Sequence, residues 1–539
     1  MYIMSKLTIA GFFARNNGLA ITISILFFVF FAQYGLSYLF HHPDEIHYTN
    51  AVTTMLESGD YMTPTYSDGS FRFIKPIITY WSILISYLIF GISEFSSKLP
   101  SLLSASAFLY FIFWQVKILY PKSKIAILAM LIVATNPLYI QCSSRNLPDI
   151  WLCIFLTMVG FASLRLLMNK GKTSRSTAMF YIGASMAVAA KGLPGVAYAL
   201  AGIVFMLLNP VNRIKIRPLL SPFWIIVALF IASFWYVTMY LKHGDMALIA
   251  FVDDQVNVRV GNTLFEYFKG IGLSLLFLFA YFLPWIFQTK SVFKLKIKSH
   301  PSTDVLFILL WIGLTLFFCM VVSPVYDRYI LPAIPMAALL LARLIDEHKS
   351  EKGVKRTASV IKITFGISIL ISLFAMWLFS AGVLVYIILL VMVIFNILII
   401  YKCPIYIQSS LQFVSLFAIM LLSLSLYIFP HQGNQIAEYL KKEDITVVGV
   451  YRNAKVAAKL RVNTHGVIKI NELDSIESGK IIIREREYDK LAQQPAIADT
   501  ISYSWKGFPL KEMITNRVNG NLQDLKKEYS DKYYLINRK

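Results

Sequence analysis

Apolar stretches of about 17 residues or more recur along the chain as far as Pro430, separated by short polar connections. Each is long enough to cross roughly 30 Å of hydrocarbon as a helix. The pattern predicts about thirteen membrane helices: 18–40, 101–116, 125–140, 150–168, 178–190, 195–208, 222–241, 270–288, 305–322, 329–345, 359–377, 382–400 and 411–429. The first is too long and apolar for a cleaved signal peptide, and no small-residue cleavage site follows it. After Pro430 the pattern changes. Ile445–Tyr451 and Lys480–Ile483 read as strands and Lys455–Val462 as a helix. The expected fold is an α-helical polytopic membrane protein over 1–430, with a small C-terminal α/β soluble domain over 431–539.

Composition agrees. Of 539 residues, 57% are hydrophobic and 15% charged, with mean hydropathy +0.61; soluble chains carry about 25% charged residues. A disordered, collagenous or coiled-coil protein and a cytosolic enzyme are excluded. Cys142, Cys153, Cys319 and Cys403 have no metal-ligand spacing and read as ordinary apolar residues.

The net charge of +21 first suggests a nucleic-acid partner, but its distribution removes that reading. With the N-terminus in the cytoplasm and sides alternating, the cytoplasmic connections carry 22 Lys/Arg against 4 acids. The outer connections to residue 430 carry 9 against 12. This is the positive-inside asymmetry of a membrane protein. An odd number of spans puts residues 431–539, with 19 Lys/Arg and 14 Asp/Glu, outside.

The first outer connection, 41–100, is long and opens with His42-Pro43-Asp44-Glu45. Asp44 to Glu57 has helical spacing, with Ile46, Val52, Met55 and Leu56 apolar and Gly59 as a stop. An amphipathic helix lying in the membrane interface is expected there. Tyr61–Gly69 is a turn region, and Phe71-Arg72-Phe73-Ile74-Lys75-Pro76 leads to Tyr80-Trp81. Ile77 to Gly91 reads as a second interfacial helix or a further span.

Other outer polar groups stand at helix mouths: Arg145 and Asp149, Lys191-Gly192, Asp253 to Arg259, and Tyr326-Asp327-Arg328-Tyr329. Ionisable residues at such depth are functional candidates. Lys75, Arg145, Lys191, Arg259 and Arg328 beside several carboxylates suit an anionic lipid-phosphate ligand next to an acid/base or orienting carboxylate. Asp253, Asp254 and Asp327 read as solvated loop acids. The others also have plainer readings. Asp44-Glu45 fits a helix-dipole acid pair and Asp149 a cap. Lys75 and Lys191 fit snorkelling side chains, and Tyr329 a belt aromatic. Arg145, Arg259 and Arg328 fit surface or ion-pair roles.

These residues resemble a known family. An Asp-Glu pair just after the first span, followed by an amphipathic helix ending in Gly, resembles the start of the GT-C glycosyltransferases related to protein O-mannosyltransferases. Phe73-Ile74-Lys75-Pro76 with Tyr80-Trp81 resembles the Phe-Glu-Lys-Pro segment of the bacterial aminoarabinose lipid A transferases. Lys191-Gly192, the Asp254–Arg259 segment and Arg328-Tyr329-Ile330-Leu331-Pro332 are similar too. The likeness runs from about residue 10 to 345, and the layout with an outer α/β tail extends it to the whole chain.

The resemblance implies transfer of a sugar from a polyprenyl-phosphate carrier to lipid A or a related outer-leaflet glycolipid. The implied setting is the bacterial inner membrane, among membrane lipids, with a periplasmic C-terminal domain and no nucleic acid. It implies Asp44 and Asp149 as catalytic residues. Lys75, Arg259 and Tyr329 match groups holding the carrier phosphate, with Glu45, Arg145, Lys191 and Arg328 as further substrate-binding candidates. Ile74 stands where those transferases carry Glu, Gln255 appears in place of His, and His47 in place of a usual Arg. The Glu and His lie near a bound metal in the relatives, so the expected cofactor set is none, with no metal. The changes leave sugar and acceptor open, including transfer to protein or another glycan. A polyprenyl-lipid flippase is the reading from another class, but the sequence has neither repeat halves nor interrupted midplane helices.

Overall fold

The computed structural model describes residues 16–37, 43–66, 69–121, 123–208, 217–253, 263–283, 285–288, 302–347, 351–378, isolated positions between 383 and 394, 432–453, 456–457, 460–461, 467–473, 477–505, 510–520 and 530–538. The expected span 411–429, most of 382–400, and Cys403 lie outside the described residues.

The helices run α1 (Asn16–Ser37), α2 (Pro43–Ser58), α3 (Ile78–Phe90), α4 (Glu94–Leu119), α5 (Ser123–Ala134), α6 (Pro137–Ser143), α7 (Pro148–Leu167), α8 (Thr173–Lys191) and α9 (Leu193–Leu208). They continue with α10 (Pro222–His243), α11 (Asp245–Val252), α12 (Leu264–Tyr281), α13 (Thr303–Val321), a 3-10 segment at Asp327–Ala333, α14 (Ile334–Glu347) and α15 (Glu351–Leu378). Then come α16 (Gln432–Lys442), β1 (Gly449–Tyr451), β2 (Ile468–Ile470), β3 (Gly479–Arg484), α17 (Glu485–Tyr488), β4 (Ile497–Trp505), α18 (Leu510–Val518) and β5 (Ser530–Arg538).

Among the described residues six helices are long and apolar enough to cross a membrane: α4, α7, α10, α12, α13 and the run from Asp327 to Glu347. The expected span 125–140 is broken: α5 and α6 meet at 65°, and they make a seventh span if taken together. The break has a local cause. The Asn136 side chain accepts from the N–H groups of Leu138 and Tyr139, and Pro137 starts a new helix that cannot continue the old one. The stretch read as helix or span at Ile77–Gly91 is the short apolar helix α3. The run expected at 270–288 ends as a helix at Tyr281.

Local signals explain other boundaries. Pro43 and Pro148 begin α2 and α7 at the position where a missing N–H costs least, with Asp44, Glu45 and Asp149 in the first turns. Ser93 and Ser96 form a reciprocal cap at the start of α4. Gly192 ends α8 at φ 80°, and a Cβ there would meet the Phe251 ring at 2.9 Å. Only glycine therefore lets the chain turn directly from α8 into α9.

One large core joins α1, α4 to α9, α13 and α14. Lipid tails are as apolar as leucine, so helix association in a membrane rests on close packing and buried hydrogen bonds. Tyr139 donates to the Ala105 carbonyl (2.7 Å), Tyr198 and Thr315 share a hydroxyl bond (2.6 Å), and Trp311 donates to the Pro332 carbonyl (3.1 Å). A second core joins α2 and α3 to α10 through Tyr48, Met55, Phe73, Tyr80, Trp235 and Met239. The polar residues of α2 enter it because Thr49 and Thr53 donate to carbonyls one turn back, both at 3.0 Å.

The C-terminal strands form one sheet in the order β2-β1-β3-β5-β4. β1 pairs in parallel with β2 and β3, and β5 pairs antiparallel with β3 and β4. The expected strands correspond to β1 and β3, and the expected helix contains the described helical positions 456–457 and 460–461. Arg461 reaches back to α2, donating to Thr54 Oγ1 (3.0 Å) and pairing with Glu57.

Candidate functional site

Four helix ends and one turn converge. α2 supplies Asp44 and α7 supplies Asp149, each from its first turn; Lys191 closes α8, and Arg328 and Tyr329 come from the 3-10 segment before α14. Lys75 lies in the turn before α3, its Nζ donating to the Ile74 carbonyl at 2.9 Å.

Asp149 is the hub. Lys191 Nζ donates to its Oδ1 at 2.6 Å, and Arg328 Nε lies 3.5 Å from its Oδ2. Arg328 also donates from Nη2 to Asp44 Oδ2 at 3.2 Å. The side chains of Asp149 and Arg328 are 4% and 10% exposed, and that of Asp44 is 42% exposed. The pairs that Asp149 makes with Lys191 and Arg328 lie far from water and interact more strongly than surface pairs, provided each charge keeps a partner. Tyr329 puts its ring under Lys191 Nζ (4.9 Å) and beside the Arg328 guanidinium (5.6 Å), and Tyr326 stacks on Arg328 at 4.4 Å.

A cavity of about 230 Å³ opens onto this network. Lys75, Asp149, Lys191, Arg328 and Tyr329 line its polar part. Tyr198, Leu193, Phe318 and Val322 are among its apolar walls. Three cations and one carboxylate therefore face one space whose remaining wall suits hydrocarbon. Such a site can hold an anionic headgroup with a lipid tail and stabilise charge that grows on the headgroup.

The remaining expected residues lie elsewhere. Glu45 is fully buried and does not line the cavity; the Asn146 N–H donates to its Oε1 at 3.3 Å, which ties α2 to the turn before α7. Arg145 is also absent from the lining, and its Nε has no hydrogen-bond partner among the described residues. Arg259, with Asp254, Gln255 and Asn257, lies outside the described residues. Asp327, expected as a solvated loop acid, is half-buried instead. It accepts from Tyr281 OH (2.7 Å) and from the Arg328 N–H (2.8 Å), and so fixes the backbone of the residue that binds both catalytic candidates.

Sequence reasoning missed Arg72 and Lys98, both nearly fully buried. Arg72 Nη1 donates to Tyr80 OH at 2.6 Å, and its guanidinium stacks on Tyr48 (4.7 Å) and Tyr66 (5.4 Å). Burial opposes its charge, yet Tyr80, Tyr48, Tyr66 and Asp44 together hold its pKa above the usual arginine value. The available signal was an arginine between two phenylalanines, within a stretch rich in tyrosine. For a metal, Ile74 offers no side-chain donor, and among the described residues no group of three or more His, Cys, Asp or Glu could hold an ion.

Residues 74–237 match the family model described as dolichyl-phosphate-mannose-protein mannosyltransferase. An uncharacterized protein of Aquifex aeolicus (strain VF5) is 25% identical over 58% of this chain and 60% of its own length. The undecaprenyl phosphate-alpha-4-amino-4-deoxy-L-arabinose arabinosyl transferase of Yersinia pestis (strain Pestoides F) is 23% identical over 66% of this chain and 64% of its own. The chain thus matches less than two thirds of the length of either relative. The structure of ArnT from Cupriavidus metallidurans bound to undecaprenyl phosphate superposes with TM-score 0.74 at 16% identity, covering 98% of both chains. That likeness shows the fold: a helical, membrane-type architecture with a small sheet.

Proposed function

We propose that this chain, similar in sequence to the protein O-mannosyltransferase-like and aminoarabinose transferases and sharing the GT-C fold of ArnT, is an integral membrane glycosyltransferase. In this reading residues 1–430 cross the bacterial inner membrane about thirteen times from a cytoplasmic N-terminus, and 431–539 form a periplasmic α/β domain. The donor is a sugar on a polyprenyl phosphate, and the acceptor is lipid A or a related outer-leaflet glycolipid. The observation that carries the reading is the meeting of Lys75, Lys191 and Arg328 with Asp149 at a cavity with apolar walls, within reach of Asp44.

The bond from the anomeric carbon to the phosphate oxygen breaks, and its electron pair stays on the phosphate. Lys75, Lys191 and Arg328, with Arg259 and Tyr329, stabilise that growing charge. Asp149 orients Lys191 and Arg328. The acceptor oxygen forms the new bond to the anomeric carbon. A hydroxyl acceptor gives its proton to Asp44. A phosphate acceptor is already ionised, and Asp44 then stabilises positive charge on the sugar. Glu45 supports this geometry from behind through Asn146.

The test is transfer by the purified full chain from polyprenyl-phosphate sugars to lipid A, read by mass spectrometry. The expected result is lipid A heavier by one sugar. The match of 74–237 to a protein mannosyltransferase family favours a second reading, transfer to protein. Labelled protein beside unchanged lipid A supports that one, and carrier lipid moved across vesicles without any sugar transfer overturns both in favour of a flippase.

A further inference from the structure

Arg328 has a feature that phosphate binding alone does not require: it is divided between two acids. Its Nε faces Asp149 at 3.5 Å and its Nη2 donates to Asp44 at 3.2 Å. The two acids are unequal. Asp149 is buried, and its other oxygen is held by Lys191 at 2.6 Å. Asp44 is 42% exposed at the start of α2. The guanidinium is hemmed in by the rings of Tyr326 and Tyr329 and by the backbone fixed through Asp327. The exchangeable member of the set is therefore Asp44.

A phosphate ester entering the cavity presents anionic oxygens to the same guanidinium fork, which binds carboxylate and phosphate with similar geometry. We propose that Arg328 is a positioning residue coupling donor binding to the availability of Asp44: without donor it holds the Asp44 carboxylate, and the donor's phosphate takes over that N–H and frees Asp44 for the sugar or acceptor. This rests on the glycosyltransferase reading. The phosphate changes from a diester to a monoester as the sugar departs and so gains negative charge. Its hold on Arg328 strengthens along the reaction, and Asp44 is least restrained when charge on the sugar is greatest. The same competition makes Asp44 an antagonist of carrier binding, a role that a simple base does not have.

The coupling is read from binding rather than turnover. Dissociation constants for undecaprenyl phosphate are measured on the full chain in lipid nanodiscs for the wild type, Asp44→Asn, Arg328→Gln and the double variant. Asp44→Asn is expected to tighten binding roughly two- to fivefold, the weight of a half-exposed ion pair. Arg328→Gln weakens binding, and in that background Asp44→Asn changes nothing. Arg328→Lys keeps the charge without the fork; it shows a reduced Asp44 effect and serves if the glutamine variant does not fold. Equal tightening in all backgrounds is a plain field effect of one less negative charge and overturns the coupling. So does no tightening in the wild-type background. A wild-type chain that does not bind undecaprenyl phosphate overturns the carrier reading itself, and the coupling with it.

Discussion

Two arginine–carboxylate–tyrosine clusters draw on the run from Asp327 to Glu347, Arg328 near its start and Arg343 near its end, and they are built differently. In the first, Arg328 and Lys191 share Asp149, Arg328 also reaches Asp44, and the set lines a cavity. In the second, Asp304 at the start of α13 binds both Arg343 of α14 and Tyr120 after α4. Arg343 also holds Tyr120 OH at 3.3 Å and Glu347 at 3.1 Å, and its guanidinium lies 5.1 Å from the Tyr120 ring. None of these residues lines the 230 Å³ cavity. The second cluster saturates itself and fastens three elements together. In the first, cations outnumber carboxylates on the cavity wall and one arginine is shared, so an incoming anion has partners to recruit. Residue types alone do not separate a lock from a binding site; the ratio of cations to acids and the adjacent space do.

The sharpest way to break this contrast is at Asp44. Asp44→Asn is expected to cut sugar transfer by roughly 10²- to 10⁴-fold, the range of a lost general base. Its melting temperature should stay close to the wild type, because a half-exposed acid contributes little stability. Near-full transfer would remove Asp44 from the chemistry.

At the other cluster the signs reverse. Asp304→Asn leaves Arg343 without its buried counter-charge and is expected to cost about 3 kcal/mol of stability. The molecules that remain folded should transfer sugar at an undiminished rate. A large loss of transfer with unchanged melting would make the second cluster functional.

Lys191→Ala removes one of three cations from the cavity wall. Donor KM is expected to rise by about tenfold, with a smaller fall in kcat, as for one lost charge-assisted bond of about 1.5 kcal/mol. Unchanged donor KM would assign Lys191 to holding Asp149 alone.

The smallest effect concerns a surface pair that belongs to neither cluster. Burial alone would raise the Asp60 pKa, but bonds from Lys242, Thr63 and the Met62 N–H outweigh it and lower it from 3.8 to about 2. A depressed carboxylate pKa adds stability above its unfolded value, and that stability disappears as pH falls from about 4 towards 2. Both partners are substantially exposed, so the loss is under about 1 kcal/mol. Lys242→Ala should flatten this part of a melting-versus-pH curve, and an unaltered curve would show that the pair contributes nothing.

What the sequence made legible follows local rules. Pro43, Pro148 and Gly192 punctuate the helices as their backbone chemistry demands, and the 14-residue amphipathic run from Asp44 to Glu57 lies within α2; Asn136, where the expected span 125–140 breaks, was not legible as a boundary. Asp149, Lys191, Arg328 and Tyr329 stand out as charged or aromatic groups at helix mouths of an apolar chain, but each also has a plainer reading as cap, snorkelling side chain, ion-pair partner or belt aromatic, and only the packing brings them to one cavity. The pairing of Asp44 with Arg328 was not readable, since 284 residues separate them and only the bundle's packing joins them. Lys98 and Arg72 were missed because long cations usually face water, whereas here one is enclosed by helix packing and the other by tyrosine rings. Glu45 was misplaced by its neighbour: adjacent residues on a helix point about 100° apart, so Asp44 faces Arg328 while Glu45 faces Asn146. Strand β4 was hidden because its register against β5 shifts twice, which spoils the two-residue alternation.

The reach of Arg461 onto Thr54 and Glu57 has a consequence for modularity. The segment bearing the sheet grips the far end of the very helix whose first turn carries Asp44. A graft that exchanged this tail for a foreign one would have to bring a matching guanidinium to the same spot, or leave Glu57 without that ion pair and the helix held by its core packing.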